Sequence, residues 1–142
     1  MREFETDDED RIRGCYKSHI EIYKQARERF GSASDYKVLV MEDNISVSPR
    51  LEQSTLEKLI GFSKANEGKW DMLHLAYIMY VPGLVVSKTD RDGVVMLSTG
   101  EQAALGTTAY IISKRGIDAC LENDENNGYS IAIPDLMARV RG

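Results

Sequence analysis

The residues with the most chemistry to offer stand side by side. Glu42, Asp43 and Asn44 place two carboxylates and an amide directly after the apolar run YKVLVM at 36–41. Such oxygens suit hard divalent cations, Mg²⁺ or Mn²⁺, which are commonly held by one or two carboxylates and shared with substrate phosphates. An acidic turn that only caps backbone amides is the competing explanation. For the triplet taken alone it is the stronger one, because short acidic triplets are common. His19, with Ser18 beside it, lies in a helical stretch and offers either a general base or a packed, hydrogen-bonded imidazole. Asp135 follows Pro134 at the head of a short C-terminal helix. The helix dipole accounts for a carboxylate there, and a catalytic base is the sharper alternative. His74, inside the run DMLHLA, and Tyr110 read as core residues, whereas Trp70 could pack or could stack on a sugar or base. Cys15 and Cys120 are too sparse for a disulfide framework or a zinc site and read as free thiols on helix faces. A Gly-rich phosphate loop, GxSxG, HExxH and paired CxxC are all missing, so kinase, hydrolase and zinc-enzyme readings have no support from motifs.

These residues need elements to position them. Tyr16, Ile20, Tyr23, Ala26 and Phe30 recur at three- and four-residue steps, which predicts a helix over 14–30 ended by Gly31. The run at 36–41 predicts a strand. Its continuous apolar tail suggests cover on both faces, as in a parallel or mixed sheet. A second helix starts either at Ser48-Pro49 or at a Ser54–Glu57 capping box, with Leu56, Leu59 and Ile60 as its buried stripe. Residues 71–76 and 107–112 predict two further strands. Between them, residues 77–106 read as a long, partly irregular excursion with one strand-like run at Val94 to Leu97. Ser113 caps a helix to about Leu121, a polar loop covers 123–130, and Pro134 opens a last short helix. Strands alternating with helices predict an α/β, three-layer fold with a mostly parallel or mixed sheet. Ligands bind such sheets beyond the carboxyl ends of the strands, where the 42–44 turn falls.

Bulk properties narrow the possibilities. Apolar residues make up 42% of the 142, enough for one real core, and the net charge of −5 argues against a general nucleic-acid binder. The segment 1–13 reads as an acidic lead-in and 14–142 as a single unit without internal repeats. The longest apolar region, Met72 to Val86, is broken by Pro82-Gly83 and is too short to span a bilayer. No targeting signal opens the chain, so a cytoplasmic or peripheral membrane location is expected.

Read in order, the segments GCYKSH (14–19), VLVMEDN (38–44), WDMLHL (70–75), GTTAYIISKRGIDACL (106–121) and IPDLM (133–137) resemble glycosyltransferase family 25. That family includes lipopolysaccharide-biosynthesis glycosyltransferases and procollagen galactosyltransferases. The resemblance covers nearly the whole chain. It implies a GT-A-like fold, a UDP-sugar donor, a glycan or hydroxylated acceptor, and a divalent cation. The family's acidic motif falls on Glu42, Asp43 and Asn44, which would hold the metal and the donor diphosphate. Its helix motif falls on Ser18 and His19, and Asp135 is the nearest match to its later Pro-x-Asp motif. The chain departs from the family at Asn44, where an Asp is usual. The strand and loop that hold the nucleotide before the Gly-Cys helix also have no counterpart, as expected of an N-terminally truncated member. The reading is therefore a metal-dependent hexosyltransferase, with an inactive, glycan- or protein-binding fragment as its alternative.

Overall fold

The computed structural model describes residues 10–49, 51–78, 85–88, 95–98, 105–130, 133 and 136. Helix α1 runs Arg11–Phe30. It begins earlier than its apolar period suggests, because Asp10 caps it: the carboxylate accepts from the amides of Ile12 and Arg13, each at 3.0 Å. The inner part of the expected acidic lead-in is thus the helix's first turn. The helix ends at Gly31, as its glycine predicts. Strand β1 (Lys37–Met41) follows, then α2 (Gln53–Ala65), β2 (Met72–Ile78), β3 (Val85–Lys88), β4 (Val95–Ser98), β5 (Leu105–Ser113) and α3 (Lys114–Asn127).

The chain is α/β, but its sheet is not parallel. Strands β1, β5 and β2 form one sheet in that order, with β5 central and antiparallel to both neighbours. Strands β3 and β4 pair as a separate antiparallel ribbon, so the expected irregular excursion contains more pairing than its glycines imply. Register explains where the core lies. Val40 and His74 both pair with Tyr110, and Val38 and Met72 both pair with Ile112, so these residues share one face. On that face sit Tyr16, Ile20 and Tyr23 of α1 and Ile117, Cys120 and Leu121 of α3. Ile133 and Leu136, both helical, are buried in the same core.

The opposite face carries Leu39 and Met41, 52% and 54% exposed, beside Leu75. The apolar tail of β1 therefore does not reflect cover on both sides among the described residues, which corrects the inference that led to a mostly parallel or mixed sheet. Helix α2 departs from expectation in two further ways. Its N-cap is Glu52, without a side-chain capping bond, so neither Pro49 nor the Ser54–Glu57 box starts it. Leu56 and Ile60 are exposed, and its buried residue is Ser63.

Helix α3 behaves as its sequence indicates at the start and exceeds it at the end. The Ser113 hydroxyl accepts from the amide of Gly116 at 3.1 Å, and the helix continues through Asn127, into the stretch expected to be a loop. Tyr16 draws this added length against α1 by donating to the Asp124 carboxylate at 2.9 Å. Gly116 is required by close approach: a Cβ there would stand 2.8 Å from the Asp71 carbonyl oxygen and 2.9 Å from the Ile112 side chain. Among the described residues, no helix is long and apolar enough to cross a membrane.

Candidate functional site

Helix α1 presents Cys15 and His19 four residues apart, and therefore one above the other on a single face. That face meets the end of the sheet where β1 finishes and β5 begins. The Glu42 amide donates to the Thr108 carbonyl at 3.0 Å, which extends the β1–β5 ladder by one residue and fixes where Glu42 leaves the strand. Its carboxylate accepts a 2.6 Å hydrogen bond from the Thr107 hydroxyl. Ligand-capable atoms of Cys15, His19 and Glu42 consequently lie within 4.8 Å of one another. Thr107 is buried, as is His19, while Cys15 and Glu42 are half-buried.

A polar relay supports this group from behind. His19 Nδ1 lies 2.5 Å from Tyr110 Oη, which lies 2.7 Å from Tyr23 Oη. The His19 and Tyr110 rings stack at 5.7 Å between centroids. Three polar side chains in a core would be costly unpaired, and each satisfies another here. Burial pushes the His19 pKa down to about 4, so its imidazole is neutral at physiological pH. Burial first, and then the charge of Glu42, raise the Cys15 pKa, while the Thr107 hydroxyl acts in the opposite sense. A protonated thiol beside a neutral imidazole is not an activated nucleophile, since attack needs the thiolate.

The acidic triplet spans two environments. Glu42 is half-buried beside Thr107, whereas Asp43 and Asn44 form an exposed turn. A hard cation carrying a diphosphate needs only one or two protein carboxylates, because water and phosphate oxygens complete its shell. Asp43 offers one exposed carboxylate, and the ligand-capable groups gathered at Glu42 among the described residues are Cys15 and His19. Ser18 donates its hydroxyl to the Gly14 carbonyl at 3.0 Å, a local helix bond. His74 is half-buried, its ring 6.4 Å from that of Tyr110. Trp70 donates to the Ser63 carbonyl at 3.4 Å and lines a cleft of about 250 Å³ with Lys37, Glu67 and Arg115. That cleft opens where Lys37 pairs with Ser113, the end of the sheet away from Glu42. Asp135 lies outside the described residues.

Spacing alone leaves Cys15 a free thiol on a helix face and gives Thr107 no distinguishing mark. The four-residue step from Cys15 to His19 was the available signal. No family model, curated protein or solved structure matches the chain.

Proposed function

We propose that this chain belongs to a sugar-transferring GT-A-type domain, moving a hexose from a UDP-sugar to a glycan or other hydroxylated acceptor. One observation carries the reading. Cys15 and His19 from the helix motif, Glu42 from the acidic motif and Thr107 from the later strand motif meet at one end of the sheet, although they are far apart in sequence. In this reading Asp43 and Asn44, with Glu42 at their inner edge, hold a Mn²⁺ or Mg²⁺ ion and the donor diphosphate. The ion supplies charge neutralisation for the diphosphate leaving group. His19, buried and held by Tyr110, acts as a positioning residue that fixes α1 against the acidic turn.

A second reading has its own observation. The outer sheet face, where Leu39, Met41 and Leu75 are exposed among the described residues, suits an inactive module that binds a protein partner. Thermal melts of the chain alone, with Mn²⁺, with UDP, and with both separate the two. Donor binding raises the transition only when both are present, by about 2.7 kcal/mol at a hundredfold excess over Kd. A cooperative transition that neither ligand moves, alone or together, rejects sugar transfer and leaves the binding module.

A further inference from the structure

Cys15, His19 and Glu42 offer one sulfur, one nitrogen and one oxygen to the same small volume, with their ligand atoms within 4.8 Å of one another. That donor set differs from the all-oxygen set of Asp43 and Asn44. Thiolate and imidazole select borderline-soft cations, and affinity for nitrogen and sulfur sites rises from Mn²⁺ towards Zn²⁺. Two ligands four residues apart on one helix face is also the arrangement by which HExxH helices grip zinc.

Around a tetrahedral Zn²⁺, bonds of about 2.0 Å to nitrogen and oxygen and about 2.3 Å to sulfur put ligand atoms roughly 3.5 Å apart. Ligand atoms already within 4.8 Å of one another need to close by only about 1 Å to reach that spacing. The surroundings are of the kind that hold metal ligands in place. A ligating histidine usually engages its second ring nitrogen in a hydrogen bond that sets tautomer and orientation. Here Tyr110 Oη engages Nδ1, leaving Nε2 as the ligating atom. A ligating carboxylate is usually hydrogen-bonded as well, and Thr107 holds Oε1 of Glu42, leaving Oε2 for the ion. Cys15 and Glu42 are half-buried, which provides access from solvent, while His19 closes the inner side.

We infer that Cys15, His19 and Glu42 form a three-ligand site for Zn²⁺, in which a fourth coordination position stays open for water or an oxygen ligand. Three protein ligands with one open position is the arrangement of reactive rather than purely structural zinc sites. The Cys15 thiol loses its proton on binding, and the ion replaces that proton as the partner of the sulfur next to Glu42. With Nε2 on the metal, Nδ1–H donates to Tyr110 Oη, so metal binding selects one of the two tautomers open to His19. Glu42 is thereby shared between two demands, and the outer carboxylate of Asp43 is the one left to a hard cation. The inference needs neither nucleotide nor acceptor and stands apart from the sugar-transfer reading.

The test titrates the reduced, chelator-treated full chain with Co²⁺ and then with Zn²⁺. About one equivalent of Co²⁺ produces the visible bands of a four-coordinate ion together with a thiolate-to-cobalt charge-transfer band, and Zn²⁺ bleaches both. Cys15→Ser removes the charge-transfer band and Cys120→Ser leaves it intact. Glu42→Gln keeps its shape and an amide oxygen for Thr107, so it preserves the apo melting transition yet weakens Co²⁺ binding roughly tenfold or more. Absence of the charge-transfer band in the folded wild-type chain overturns the inference. So does a band that survives Cys15→Ser, or Mn²⁺ displacing Co²⁺ as readily as Zn²⁺ does.

Discussion

Tyr110 Oη sits 2.5 Å from Nδ1 of His19, joining the central strand to the first helix in the middle of the core. Because the same hydroxyl also meets Tyr23, a single phenol orders both polar side chains that α1 directs into the core at this point. Tyr110 thus sets where His19, and with it the Cys15 face, stands relative to Glu42.

Tyr110→Phe removes that hydroxyl without removing the ring. It leaves His19 and Tyr23 each short of a buried partner, and the expected cost is roughly 1–3 kcal/mol of unfolding free energy. Urea denaturation of the variant and the wild type measures it. Equal midpoints would show that the relay contributes nothing.

Stability should depend on pH through His19. Its folded pKa of about 4 lies below the ordinary value of 6.5, so the unfolded chain binds the extra proton first. The contribution is intact above about 6.5 and is lost as pH falls towards about 4, amounting to about 3 kcal/mol in all. Chemical denaturation across this window, for the wild type and His19→Gln, isolates the effect: the wild-type curve falls more steeply on acidification. Parallel curves would mean that His19 is accessible enough to protonate in place.

Gly116 stands where the first turn of α3 passes the start of β2. Gly116→Ala forces its new methyl against the Asp71 carbonyl and the Ile112 side chain, and Ile112 is fully buried. Overpacking of this kind costs about 1–3 kcal/mol. A lowered melting temperature with unchanged far-UV circular dichroism is the expected result.

The two thiols should differ in reactivity. Cys120 is 0% exposed, and burial with the nearby charge of Asp71 pushes its pKa up to about 12. Cys15 is half-buried. In the native chain iodoacetamide labels Cys15 and spares Cys120, and labelling of both requires denaturant, as mass spectrometry of peptides would show. Saturating Zn²⁺ protects Cys15 if the three-ligand site forms.

Much of the fold is legible in the sequence because it rests on local patterns. The steps Tyr16, Ile20, Tyr23 give α1, and the apolar runs ending at Met41 and beginning at Thr107 give β1 and most of β5. Ser113 announces α3 through a capping bond that the structure contains. Strand direction is different, since it depends on which strands meet and not on any one of them. Leu39 and Met41 face outward and are exposed among the described residues, and a continuously apolar tail of this kind is indistinguishable in sequence from a strand buried on both sides. Helix α3 outlasts its apolar period because Tyr16 binds Asp124 from another element. The same limit applies to the site. Cys15 and His19 share a helix face by spacing alone, but only the β1–β5 register brings Glu42 and Thr107 to them.

The measurement that bears most directly on sugar transfer is calorimetric titration of UDP into the full chain, with and without Mn²⁺, for the wild type and Asp43→Ala. Saturable binding that requires Mn²⁺ and disappears in Asp43→Ala, with the variant still folded, is the predicted result. No saturable heat from the folded wild type, or the same heat from Asp43→Ala, would contradict the assignment of the acidic turn to a metal-bound nucleotide sugar.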